Sequence, residues 1–429
     1  MSYHCPTMNT LRIHGPVYLL LLVIVLTAFG KLTQTALWDP LDAQILCDAH
    51  VLSQDPATMF GHLGFYFSQP VLQLAFLAEY RLFGLEPAGY IWINLFIHTA
   101  NSFVIYMLVN MLFPHQKKAF LASLLFALGV GSYGKVFMAV HQLETLLLAL
   151  FHLLVLYFFI RNDFRRDGSI RSSLFALGLV LFLMTGLTKA ASFSLIGVLI
   201  AYKAFFYKKR AGRSILSADL LVFVVVGILF YTAQSLWGFR EPAVFQDPDS
   251  VHRFDWISFK NIFRYLNLMF FPMQRSPILE DSATWVVWVF HARTVIRVFL
   301  SLAIIAYSFF GFVFGSRAVR FFIAWTYITL LPFTGITDTG EWLNLSHLYL
   351  TSLGFCVILA AGTTGTSGLL SRRRWRRYVP YVVPLAFILV SITLTYKLNE
   401  RHRRVAETPA VVQMRADLVS SCQPTAEVP

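Results

Sequence analysis

The chain has 429 residues, 57% of them hydrophobic and only 13% charged, against about 45–50% and about 25% in soluble domains. The excess apolar residues stand in long blocks. That excludes a soluble enzyme and leaves one multi-spanning membrane domain, because each crossing takes roughly 20 apolar residues wound as a helix. The formal charge of +13 does not point to nucleic acid. Basic residues gather between apolar blocks, as KK at 117–118, RNDFRR at 161–166, KKRAGR at 208–213 and SRRRWRR at 371–377, which is the pattern of cytoplasmic loops, with anionic membrane lipids as a compatible partner.

The first apolar block, Val17 to about Ala36, follows Arg12 and His14. It reads as a retained signal-anchor rather than a cleaved signal peptide, because further spans follow. These lie near 90–112, 117–134, 141–160, 172–188, 190–207, 218–237, 294–314, 319–336, 347–365 and 379–398, giving about eleven in all. Residues 68–86 are apolar but carry Glu79 and Arg81, and read as an interfacial helix on the outer surface. Residues 256–291 hold two apolar stretches, RYLNLMFFP and TWVVWVF. Both are expected to insert partly from outside; if both cross, the count rises to thirteen.

Charge sets the orientation. With a cytoplasmic N-terminus, the inner segments carry 19 of the 35 basic residues, and the only inner acids are Asp163, Asp167 and Asp219. The expectation is therefore N-terminus in and C-terminus out. Residues 1–399 form the membrane domain and 400–429 a short polar outer tail. The bacterial inner or plasma membrane is favoured over the endoplasmic reticulum. Of the four cysteines, Cys356 lies inside an apolar block, while Cys47 and Cys422 both face outside and can pair; spacing alone does not decide it. No Cys/His metal spacing is present, and no metal site is expected.

The first outer loop begins WDPLDAQILCDAHVLSQDP. Asp39 and Asp42 follow the end of the first helix directly, where a carboxylate above a membrane cavity can act as a base or hold a cation; a solvated acidic loop is the plainer alternative. Lys189, in LTKAASFSL, either faces an anion in a wet cavity or snorkels from a short hairpin. His141 and Glu144 mark the outer end of a neighbouring span and line or cap the same cavity. Arg240, Arg253 and Arg264 stand among aromatics in the second outer loop, which suits a lipid phosphate and equally suits interfacial anchoring. His347 and Tyr349 enter a late helix from outside.

These pieces together resemble the GT-C membrane glycosyltransferases. The nearest likeness is to the protein O-mannosyltransferase branch, including members with tetratricopeptide repeats. The stretch 64–107 carries Pro70, then Gly84 and Pro87, then Asn94, His98 and Asn101, in the order of that branch. Lys189, RYLNLMFFP at 264–272 and LYLTSLGF at 348–355 follow. The chain departs from the pattern at several points: the adjacent acidic pair is spread to Asp39 and Asp42, Gln69 precedes Pro70, Ala190 follows the lysine, and Ser346 and His347 precede the late Leu-Tyr-Leu.

The resemblance implies an all-α GT-C-like bundle with a large first outer loop. It implies transfer of a sugar from a polyprenyl or dolichyl phosphate carrier to a glycan, protein or lipid acceptor on the outer face. Asp42, with Asp39 second, would be catalytic. Lys189, Arg240, Arg253 and Arg264 would hold the donor phosphate. His98, Asn94, His141, Glu144, His347 and Tyr349 would line the substrate cavity. The lipid-linked sugar is the donor that the resemblance implies, and a divalent cation is left open. The competing readings are a transporter or flippase of lipid-linked sugars, which would place paired polar groups at the bilayer midplane, and a non-catalytic envelope-glycan assembly protein.

Overall fold

A computed structural model describes residues 10–35, 40–55, 69–113, 115–129, 136, 139–166, 169–188, 193–206, 217–236, 251–252, 256–270, 284–334, 336–337, 345–369, 376–409, 412–413 and 416–417. The helices among them are α1 (Thr10–Phe29), α2 (Pro40–Gln54), α3 (Pro70–Phe83), α4 (Pro87–Leu112), α5 (Gln116–Leu128), α6 (Leu143–Arg166), α7 (Ser173–Gly186), α8 (Ser194–Phe206), α9 (Ala218–Leu236), α10 (Trp256–Phe270), α11 (Thr284–Phe314), α12 (Arg317–Thr334), α13 (Leu348–Leu369) and α14 (Val382–Ala406). The described extended structure is one two-residue antiparallel ladder, β1 (Val251–His252) against β2 (Ile336–Thr337), pairing Val251 with Thr337.

Each of the eleven apolar blocks holds a helix. Among the described residues, five stretches are long and apolar enough to cross a membrane: His14–Gln34, Pro87–Leu112, Val140–Phe164, Leu345–Ser367 and Tyr378–Lys397. Shorter apolar helices stand at Ser173–Gly186, Ser194–Phe206, Ala218–Ala233 and Ser301–Phe314. The chain is an integral membrane protein of all-α type. Side chains such as Leu229, Phe299, Phe310 and Leu389 are exposed along α9, α11 and α14, as expected where a helix faces lipid rather than water.

The centre of the bundle is α4, α5, α6, α8, α12 and α13, which pack on one another both as consecutive pairs (α4 with α5, α12 with α13) and as sequence-distant ones (α5 with α13, α8 with α12). Trp325, Phe126, Phe159, Phe321, Tyr202 and Tyr349 fill it. Without a hydrophobic drive between helices in lipid, close approach of backbones matters. Gly354 of α13 supplies it: a Cβ there would lie 2.1 Å from Thr326 Oγ1 and 2.5 Å from the Phe322 carbonyl of α12.

Three findings refine the sequence reading. The first outer loop is not all loop: α2 begins at Pro40, with Asp42 in its first turn. Proline suits the first helical position and a carboxylate suits the positive end of the helix. Secondly, α3 is 14 residues, roughly 21 Å at 1.5 Å per residue, too short to cross. It packs on α2, α4 and α6 through Leu72, Phe76 and Glu79. It turns into α4 at Gly84, whose φ of 55° lies where residues with a Cβ are strained. Thirdly, TWVVWVF is not a separate insertion. It is the start of the 31-residue α11, because no proline or glycine interrupts the helix before Gly311. The sequence reading began this span near 294, ten residues after the helix starts. RYLNLMFFP lies in and beyond α10, whose 15 residues also fall short of a crossing.

At the far end of α6, Lys203 is 3% exposed. It contacts Asp163 Oδ1 at 2.7 Å and Asp219 Oδ2 at 3.1 Å. Tyr202 donates to Asp163 Oδ2, and the Phe159 ring lies 5.0 Å from the ammonium. This cluster ties α6, α8 and α9 together.

Candidate functional site

The bundle end opposite Lys203 gathers most of the described candidates. A single turn, Val140–Gln142, leads into α6 and meets α2. There Asp42 Oδ1 accepts the His141 backbone N–H at 3.0 Å and lies 2.8 Å from His141 Nδ1. The two residues are 99 positions apart in sequence. Asp42 is 0% exposed and the His141 side chain 17%. Burial opposes a charge on Asp42, but the His141 ring and the backbone N–H groups of His141 and Val140 outweigh it and hold the carboxyl below its ordinary range. Asp42 is therefore a carboxylate at neutral pH, and His141 Nδ1 carries the proton that it accepts.

Around this pair the polar groups are organised. Gln69 Nε2 donates to Glu144 Oε1 at 3.3 Å, one turn beyond His141. Asn94 Nδ2 donates to the Ala139 carbonyl at 3.1 Å, fixing the chain just before the turn. His50 Nδ1 and the Tyr80 hydroxyl are 2.8 Å apart, which fastens α2 to α3. Beside Tyr80, Glu79 is 5% exposed, and neither carboxyl oxygen has a hydrogen-bond partner among the described residues. Burial pushes it up to about 8, so it is neutral at pH 7.

His98 and Tyr349 do not open on this surface; both are 0% exposed. His98 Nε2–H donates to the Ala127 carbonyl at 3.0 Å, which leaves Nδ1 to accept from the Tyr349 hydroxyl at 2.7 Å. Asn101 Nδ2 donates to the Tyr349 oxygen and to the Leu146 carbonyl, each at 3.1 Å. His98 and Tyr349, assigned by sequence to a substrate cavity, together with Asn101 cross-link α4, α5, α6 and α13 inside the packed bundle. His347 is also held: Tyr265 lies 2.9 Å from its Nδ1, and Phe333 stacks on the ring at 4.2 Å. Arg264 stands one residue before Tyr265 on α10, half-buried, with Asn261 3.5 Å away. Asp39, Lys189, Arg240 and Arg253 lie outside the described residues. Cys47 is disulfide-bonded, and Cys422 also lies outside them.

Among the described residues, no group of three or more His, Cys, Asp or Glu side chains is placed to hold a metal ion. Sequence reasoning did not single out Gln69, Tyr80 or Tyr265 as partners. The signal for Gln69 was its place beside Pro70, where a helix start brings it over the α6 entrance. The chemistry available at the junction is that of an ionised carboxylate supporting an imidazole.

No protein-family model matches the chain, and a search of curated proteins finds no match. Solved structures do match. The apo crystal structure of the Archaeoglobus fulgidus oligosaccharyltransferase aligns with a TM-score of 0.52 at 13% identity, over 95% of this chain and 60% of that one. The archaeal oligosaccharyltransferase AglB from Archaeoglobus fulgidus, in complex with an inhibitory peptide and a dolichol-phosphate, aligns with a TM-score of 0.51 at 14% identity, over 92% and 56%. The chain thus spans less than two thirds of the length of these structures. The likeness is one of fold. It is the GT-C membrane fold, and it does not single out the protein O-mannosyltransferase branch.

Proposed function

We propose that the chain transfers a glycan from a polyprenyl or dolichyl phosphate carrier to an acceptor at the Asp42 end of the bundle. The observation that carries this reading is the ionised, fully buried Asp42 held by His141, at one end of a bundle with the fold of an oligosaccharyltransferase. One of those solved structures contains a dolichol-phosphate and a peptide, which supports a lipid-linked donor here. Asp42, with Asp39 beside it in sequence, serves acceptor activation. Lys189, Arg240, Arg253 and Arg264 are the cations proposed to neutralise the departing phosphate, where positioned charge helps most. Residues 1–399 form the transferase domain, and the Asp42 end faces outward with the N-terminus cytoplasmic.

The flippase reading needs polar groups that open to a passage near the midplane. Here the polar groups of His98, Asn101 and Tyr349 are fully buried and bonded to one another, which favours the enzyme.

The test is transfer by the purified protein from polyprenyl-phosphate-linked sugars, in lipid nanodiscs. Asp42→Asn should lower turnover about 100-fold or more. Wild-type turnover in that variant would sink the acidic-site mechanism.

A further inference from the structure

Helices α2 and α3 are joined to each other more firmly than to the bundle. α2 packs chiefly on α3 and meets the bundle at the Val140–Gln142 turn. His50 of α2 lies 2.8 Å from the Tyr80 hydroxyl of α3. The apolar seam that seats both helices is a satellite cluster, separate from the main core. In it Ile45 and Leu46 of α2 and Leu72 and Phe76 of α3 pack against Tyr90 of α4 and Val140 of the turn. Polar links across the seam include Asp42 to His141 and Gln69 to Glu144. α3 continues into α4 through Gly84, whose φ is 55° and where an added Cβ would meet nothing within 4 Å. That joint has the backbone freedom and the room of a hinge. A small cluster beside a hinge is the kind of unit that opens locally while the core stays folded.

Two side chains give such an opening a consequence. Asp42 is carried by α2 and is 0% exposed, so no substrate touches it while α2 is seated. Glu79 shares the buried face of α3 with Leu72 and Phe76, and among the described residues neither of its oxygens has a hydrogen-bond partner. A carboxyl left so in an apolar seam gains water when the seam parts.

We propose that α2 and α3 swing about Gly84 as one leaf that gates access to Asp42, and that Glu79, sheltered in the seated leaf and hydrated in the open one, sets how often the leaf opens. The gating rests on the transfer reading above; the leaf itself does not.

The direction of control follows from the surroundings of Glu79. The titratable groups on the elements packed around α3 are Asp42 and His50 of α2, His141 of the turn, Tyr90 of α4 and Glu144 of α6, while Arg81 of α3 is exposed. None of them holds the Glu79 charge, and burial alone raises its carboxyl from 4.5 to about 8. The seated leaf keeps the proton and the open leaf releases it. Opening therefore becomes more frequent as pH rises toward about 8, by up to about tenfold per pH unit, and levels off above that.

The experiment is hydrogen exchange read by mass spectrometry on the full chain in lipid nanodiscs, from about pH 5.5 to 8.5, corrected for the pH dependence of chemical exchange. In the wild type, α2 and α3 should lose protection together as pH rises, by up to about tenfold per unit, while α4 and α6 keep theirs. Glu79→Gln has no proton to release, so its α2 and α3 should stay protected across the range. Loss of protection in α2 without α3 would overturn the single leaf. Loss that spreads to α4 and α6 would make the event global unfolding, and a pH response that survives in Glu79→Gln would remove Glu79 from the control.

The gating is read separately, as the ratio of Glu79→Gln to wild-type turnover with a polyprenyl-phosphate sugar. The ratio should be near one at the acid end and fall as pH rises; a ratio that stays at one overturns the gating. If the exchange pattern appears as expected but the wild type transfers no sugar, the transfer reading fails and the leaf stands without it.

Discussion

At the residue scale, Glu79 makes a claim that pH can check. It shares the buried face of α3 with Leu72 and Phe76, and among the described residues both its oxygens are unpartnered. Burial raises it from 4.5 to about 8. The unfolded chain ionises above about pH 4.5 while the folded protein holds the proton until about 8. The folded state therefore loses stability progressively across that window and levels off above it. The difference amounts to roughly 4–5 kcal/mol at 1.36 kcal/mol per unit. The expected result is a melting temperature in detergent that falls between pH 5 and 8, and a Glu79→Gln variant in which most of this slope is gone. An unchanged slope would remove Glu79 from the account. The sequence shows Glu79 as a charge within an apolar helix but not which face it takes. Likewise it marks Asp42 and His141 separately, since nothing local ties positions 99 apart; the bundle brings them together.

At the scale of elements, the Lys203 cluster shows what a charge count sees and what it misses. Counting places Lys203, Asp163 and Asp219 on one side of the membrane as loop charges. The structure buries the lysine between the two carboxylates and joins α6, α8 and α9. Removing one partner from a buried pair leaves an uncompensated charge, which costs roughly 3–5 kcal/mol. Lys203→Met should therefore lower the unfolding temperature sharply. The triple variant Asp163→Asn, Lys203→Met, Asp219→Asn should recover much of the loss. Calorimetry or dye-based melting in detergent reads both. The contact of α12 with α13 gives a second test at this scale. Gly354→Ala should destabilise, because its Cβ meets the Phe322 carbonyl, which cannot swing aside as a side chain could. Of the elements, α2 was missed: its position in an outer segment suggests a loop, although Pro40 at the first helical position and Asp42 in the first turn are compatible with a helix start.

At the scale of the whole molecule, the apolar blocks are readable because lipid demands continuous stretches of backbone that satisfy themselves. Each block therefore has its helix in the structure. The pairing of those helices is set by shape and by a few polar contacts that no single stretch reveals. This is why Tyr349, 251 residues from His98, was placed by sequence at an outer mouth rather than deep between helices. Orientation is the prediction proper to this scale. A single cysteine at position 165 or 210, in an otherwise cysteine-free protein, should be labelled by a membrane-impermeant maleimide only after the cells are opened. Labelling in intact cells would reverse the proposed sidedness and place Asp42 in the cytoplasm.

The order of donors through Asn101, Tyr349 and His98 carries a consequence for bioenergetics. Each hydrogen bond in the series points the same way, and the series ends on the Ala127 carbonyl, which accepts a hydrogen bond but has no proton to hand on. A wire for protons needs a terminus that can both receive and release. This one stops at a peptide oxygen, so these three hydrogen bonds form a static brace between α4, α5 and α13 rather than a relay.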